Sequence, residues 1–173
     1  MKKIIYIMLI IIVLSFYVNN SNSSLIIPDN SIRFRIIANS NEAKDQALKM
    51  DIKNELSNNI FKLLENSSSV EETRKIIKEN EDIIKLTLDK YNVNYSINYG
   101  NNYFPEKEYN GVTYDAGEYE SLVITLGEAK GNNWWCVMYP PLCLLESNSN
   151  NYEENEYKLY IKEILSKLSV NNS

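Results

Sequence analysis

The chain has 173 residues, 44% hydrophobic and 24% charged, enough apolar material for one packed domain with a small appendage. A net charge of −5 excludes the electrostatic footprint of a nucleic-acid binder, and it requires any attachment to an anionic membrane to be hydrophobic. There is no histidine, which rules out Ser-His-Asp and Cys-His catalysis, His-ligated zinc and imidazole pH switching; two cysteines are too few for a four-cysteine zinc site.

Met1-Lys2-Lys3 is followed by apolar or small residues from Ile4 to Val18 and then by the polar run Asn19 to Ser24. That order describes a secretory signal or a signal anchor. At 1.5 Å per residue the apolar stretch reaches roughly 22 Å, short of the ~30 Å bilayer core, which favours a signal peptide. Bulky Phe16, Tyr17 and Val18 stand where a cleavage site wants small residues, and Ser21-Asn22-Ser23 is the best substitute. Cleavage and retention as an anchor therefore both stay open, and an uncleaved segment would be the membrane contact. Losing residues 1–24 deletes two lysines and no acid, moving the balance from −5 to −7.

Residues 25–30 read as a linker ending at Pro28-Asp29-Asn30. Ile32 to Ala38 alternates, with Ile32, Phe34, Ile36 and Ala38 on one face and Arg33, Arg35 and Ile37 on the other, which predicts a strand. Arg33 and Arg35 are two of three arginines in the chain. They either pair with nearby carboxylates at the sheet surface or offer a partner a carboxylate-binding face, since the guanidinium fork binds bidentately. Asn39 and Glu42 resemble a capping pair opening a helix over 42–65, whose stripe is Leu48, Ile52, Leu56, Ile60 and Leu63. Ser69 and Glu72 form a second capping box, opening a helical stretch to Tyr91 that Asn80-Glu81-Asp82 can divide.

After Asn92 the period switches to two, and 93–99 reads as a strand with one wet face. Residues 100–117 read as irregular, with a tight turn at Asn110-Gly111. Strands follow over 118–126 and 134–139, the second stopped by Pro140-Pro141, because proline cannot donate to a ladder. Residues 146–151 read as a polar linker, and a helix over 153–168 carries Tyr157, Ile161, Ile164, Leu165 and Leu168 on one side, to dock on the domain or on a partner. The fold class is thus α+β: a mostly antiparallel sheet covered by two or three helices, with a C-terminal amphipathic helix. The expected divisions are a leader over 1–24, a linker over 25–30, a domain over 31–146 and a linker with helix over 147–173.

Gly127 to Cys143 holds both tryptophans, both cysteines and two of the four prolines. Trp134 and Trp135 are adjacent, so in a strand they point to opposite faces and cannot enter the same core. One of them beside the rigid Pro140-Pro141 turn suits an anchor for a partner; packing under the chain's own C-terminal helix is the other reading. Cys136 and Cys143 can form a disulfide only if the chain reverses between them, because their Cα atoms must come within about 7 Å. Export favours that disulfide over two buried free thiols or a reactive cysteine. Gly127-Xaa3-Gly131 lacks the Gly-Lys-Ser/Thr ending of a phosphate loop. Asp115-Ala116-Gly117 occurs once, whereas an aspartic-protease dyad needs two such aspartates.

Three segments together resemble the stage II sporulation protein R family. They are Ile32-Arg33-Phe34-Arg35-Ile36-Ile37-Ala38-Asn39-Ser40 with Asp45-Gln46-Ala47-Leu48-Lys49, Phe104-Pro105 with Lys107, Tyr109 and Gly117-Glu118-Tyr119, and Gly127 through Cys143. The resemblance implies a protein made in the forespore of endospore-forming bacteria and exported into the space between the two membranes. There it would trigger a membrane-embedded aspartic protease of the mother cell, which cleaves the sigma-E precursor. It implies a protease activator that is not an enzyme and uses no small-molecule cofactor, metal or nucleic acid. The expected contact surface is Trp134, Trp135, Pro140, Pro141, Arg33 and Arg35. The rival from another class is an extracytoplasmic hydrolase using Asp115, Glu118 and Glu120.

Overall fold

A computed structural model describes residues 30–109, 112–147 and 154–171, together with Met8. The leader and the Asn110-Gly111 turn lie outside the described residues. Among those described, no helix is long and apolar enough to cross a membrane.

The alternating stretch near the N-terminus is strand β1, Ile32–Ile37. Helix α1, Ala43–Leu56, follows, then a wide π turn over Ser57–Phe61 and a last helical piece over Lys62–Leu64. The capping differs from the sequence reading: Glu42 stands at the N-cap with no side-chain bond to the helix. Asn39 Nδ2 and Ser40 Oγ instead donate to the Asp45 carboxylate in the first turn, each at 2.7 Å. The wide turn shifts the helical phase, so Leu64 is buried while Leu63 faces outward. Helices α2, Val70–Glu79, and α3, Glu81–Asp89, are divided at Asn80, whose Nδ2 takes the Ile76 carbonyl at 2.8 Å. Ser69 Oγ accepts from Glu72 N at 3.1 Å, the expected cap, but the Glu72 carboxylate reaches Ser68 N rather than Ser69 N.

Strand β2 runs Tyr95–Phe104, longer than the alternation suggested. Short strands β3, Lys107–Tyr109, and β4, Val112–Tyr114, pair antiparallel. Strands β5, Gly117–Leu126, and β6, Asn133–Tyr139, complete the sheet, whose order is β2-β5-β1-β6. The β2–β5 and β1–β6 pairings are antiparallel, and β1–β5 is parallel, its connection passing through the helices. Helix α4, Cys143–Ser147, occupies part of what reads as polar linker, and α5 is Glu154–Asn171.

Both sheet faces are covered. On one, Phe34, Ile36, Leu122, Ile124 and Cys136 meet Ile52, Leu56, Ile77 and Ile84 from α1, α2 and α3. Each such buried aliphatic contributes roughly 1.5–3 kcal/mol. On the other, Phe104, Trp135 and Val137 meet Val112 and Tyr114 of the hairpin and Tyr157 and Ile161 of α5. The C-terminal helix therefore docks on the domain itself, with Ile164 and Leu165 half-buried against the same cluster. The Tyr114 and Tyr157 hydroxyls share a hydrogen bond at 3.0 Å inside it.

Candidate partner-binding site around the paired tryptophans

The pleat of β6 sends its two tryptophans to opposite sides of the sheet. Trp134 packs edge-on to Phe34 and stacks on Phe61, with centroids 6.2 Å apart in both pairs. Its ring also lies 5.5 Å from the Lys53 ammonium. Trp135 is edge-on to Phe104 at 5.6 Å and to Tyr114 at 5.2 Å, and it is only 7% exposed. Each tryptophan thus has its own core.

Arg33 and Arg35 share the Trp135 face, but that face is not a surface. Arg33 is 1% exposed, its guanidinium 3.3 Å from the Tyr119 ring centre, with Trp135 at 5.1 Å and Phe104 at 5.3 Å. One of its nitrogens donates to the Asp115 carbonyl at 3.4 Å. Arg35 lies 3.8 Å over the Phe104 ring and donates to the Tyr103 carbonyl at 2.7 Å. It forms no carboxylate pair among the described residues. Burial pushes its pKa below the usual arginine value. Burial therefore makes Arg33 a support beneath the aromatic cluster, while Arg35 retains partial exposure.

The loop before β6 is tied to the segment after β1. Glu128 N donates to Asn39 Oδ1 at 2.9 Å, Lys130 N to Asn39 O at 3.0 Å, Gly131 N to Ala38 O at 2.9 Å and Asn132 N to Asn41 Oδ1 at 2.7 Å. Gly131 sits so close that a Cβ there would lie 2.2 Å from the Ser40 carbonyl oxygen. Gly127 has φ +56°, and a Cβ on it would meet Asn39 at 2.2 Å. The two glycines are requirements of this lacing, which is the physical content of the Gly-Xaa3-Gly spacing. Lys49 Nζ donates to Gln46 Oε1 at 2.7 Å and to Asn132 O at 3.1 Å. Burial, and then the Lys107 charge, lower its pKa.

An open cleft of about 490 Å³ results, lined by Pro105, Glu106, Lys107, Asn132, Asn133 and the edge of Trp135. The Lys107 ammonium stands 5.1 Å from the Trp135 ring. Beyond Tyr139, whose bond to Pro140 is cis, Leu142 N reaches back to Val137 O at 3.0 Å. That reversal brings Cys136 and Cys143 to a Cα separation of 5.0 Å, and the structure joins them by a disulfide. Pro140 is buried and Pro141 half-buried at the turn.

A profile of the family described as Stage II sporulation protein R matches residues 28–149. The chain belongs to the stage II sporulation protein R family. It is 41% identical over 146 residues to Stage II sporulation protein R of Bacillus subtilis (strain 168), an alignment that takes in 80% of this chain. The aligned region spans 65% of that relative's length, a little under two thirds. No solved structure matches.

The three segments that carry the stage II sporulation protein R resemblance are far apart in sequence and meet around Trp135. The first supplies Arg33, Arg35 and Lys49, the second Phe104, Pro105, Lys107 and Tyr119, and the third the loop and Trp135 itself, with Trp134 and the disulfide on the other face of the same strand. Sequence reasoning missed Lys49, Pro105, Lys107, Asn132 and Asn133 as site residues. Their only signal was membership of those segments, since a lysine on a helix reads as solvated.

The carboxylates of the rival hydrolase reading are not gathered for catalysis. Glu120 is clasped by Arg74, whose Nη2 lies 2.7 Å from Oε2, and accepts from the Tyr99 hydroxyl. Those bonds, the Arg74 one foremost, hold it below the usual carboxylate range, the wrong direction for a general acid. Asp115 and Glu118 are exposed, Asp115 in the connection between β4 and β5.

Proposed function

We propose that this protein is an exported signal of sporulation that activates a membrane-embedded aspartic protease of the mother cell, leading to processing of the sigma-E precursor. Its place would be the space between forespore and mother-cell membranes, released there or held by its N-terminal segment. It would act as a binding protein, by touching the extracytoplasmic face of the protease and favouring its active or dimeric state. Membership of the family supports the sporulation role. One observation carries the contact site: two separated segments of the resemblance line one open cleft beside Trp135, and Lys49 of a third bonds the carbonyl of Asn132 in its wall.

In this reading Lys107, Arg35 and Pro141 are what the partner touches, Arg33, Trp135 and Pro140 hold that surface in shape from beneath, and the half-buried Trp134 packs on the opposite side of the sheet. Trp135 offers only its edge, at the cleft floor. The half-buried, aromatic-backed cations give a binding site for an acidic or carbonyl-rich segment a setting drier than bulk water, where each contact weighs more.

The test is co-purification with the protease, together with sigma-E processing in sporulating cells, for Lys107→Glu with Arg35→Ala. Loss of capture and processing with far-UV circular dichroism unchanged at the assay temperature is the expected result. Wild-type capture by that double variant would remove the cleft as the contact site. A domain that hydrolysed a substrate unaided would favour the carboxylate-dependent reading.

A further inference from the structure

The sheet has two edges, and they are treated differently. At the β6 edge, Lys49 bonds the Asn132 carbonyl, Lys107 stands over Trp135, and the strand runs into Pro140-Pro141 and the disulfide. Lysine and proline are the ordinary means by which natural proteins blunt an edge strand. Strand β2, at the other edge, has neither. Its ten residues contain no charged side chain and no proline, and its pairing with β5 runs from Tyr95↔Leu126 to Phe104↔Gly117 without a bulge. Among the described residues nothing pairs with its outer side. Tyr99 is 44% exposed and Tyr103 58%. A strand this long, regular and uncharged is a template for another strand.

We propose that the occupant is a second copy of this chain, joined through β2 in an antiparallel pair centred on Tyr99. A two-fold axis perpendicular to the sheet keeps each face on its own side, so it pairs residues of equal parity. Centred on Tyr99, it sets Tyr95 opposite Tyr103 of the other copy, Ile97 opposite Asn101, and Tyr99 opposite Tyr99. The exposed tyrosines then cover one another as cross-strand aromatic pairs. The ladder closes about eight to ten hydrogen bonds. No like charges meet along it, although each chain carries −5 overall. Charge on the strand would select an extended segment of a different protein, and β2 carries none, whereas its own sequence is its complement. The joined sheets form one eight-stranded sheet that carries two copies of the Trp135 cleft. This pairing stands independently of the protease reading, and its test involves no protease.

The test is site-directed cross-linking of the full chain. Two-fold pairing brings the Tyr99 Cα atoms within about 4.5–5.5 Å, inside disulfide range. Tyr99→Cys is expected to give a covalent dimer under mild oxidation, whereas Met50→Cys, exposed on α1, is expected to stay monomeric. Should Tyr99→Cys lose its fold, a mixture of Tyr95→Cys and Tyr103→Cys chains reads the same register: cross-links form between the two variants and not within either alone. Asn98→Lys with Asn101→Lys, both at exposed positions, is expected to weaken self-association at least tenfold by sedimentation, with circular dichroism unchanged. Equal cross-linking at Met50 and Tyr99, or a monomeric Tyr99→Cys chain because another segment or another protein occupies the edge, would overturn the proposal.

Discussion

Replacing Trp135 by alanine separates a structural tryptophan from a contact residue. The side chain is 7% exposed and holds Phe104, Tyr114 and the Arg33 guanidinium around it. A buried indole removes on the order of 200 Å² from water. At about 25 cal/mol per Å² its loss is worth about 5 kcal/mol, less whatever the cavity recovers by collapse, so a cost of about 3–5 kcal/mol is expected. For a chain of this size that is a fall in melting temperature of roughly 10–15 °C. Urea titration followed by far-UV circular dichroism measures it, and Trp134 fluorescence gives a second probe on the opposite face. A loss under about 1 kcal/mol would refute the reasoning, because it would mean that the indole is not packed between the sheet and the hairpin. The same result would return Trp135 to the list of contact residues.

Replacing Cys136 and Cys143 together by serine should cost about 2–3 kcal/mol, the chain-entropy value for so short a loop; equal urea midpoints for parent and variant without reductant would show that the bond does not form. Gly131→Ala should destabilise by about 1–3 kcal/mol, since its Cβ meets the Ser40 carbonyl; thermal melting checks it, and a neutral result would mean that the loop is not laced to Asn39 and Ser40. Asp45 is held below the usual carboxylate range by donors from Ser40 and then Asn39, so its contribution is complete above about pH 4 and is lost as the pH falls through its lowered folded value. Asp45→Asn should therefore melt lower at pH 7 and lose less than the parent between neutral and acid pH; an equal acid loss in both proteins contradicts that assignment.

The sequence by itself determined which strand faces are apolar, because the side-chain period of two is intrinsic to a strand: Phe34 and Ile36 against Arg33 and Arg35, and Trp134 against Trp135. It also determined the Ser69 cap and the helix division at Asn80, both local hydrogen-bonding events, and the α+β class that follows from the order of periods. Tertiary structure decided what lies on each face. A strand's alternation cannot tell water from a second core, so Arg33 reads as a surface arginine until Tyr119, Trp135 and Phe104 close around it. The same holds for the second half of β2, where Gly100-Asn101-Asn102 has loop composition and becomes strand only because β5 pairs with it along its whole length. The cleft belongs wholly to tertiary structure: Lys107 and Asn133 come from distant segments, Lys49 of a third bonds the Asn132 carbonyl beside them, and only the placement of β1 beside β5, with β6 on its far side, brings them together.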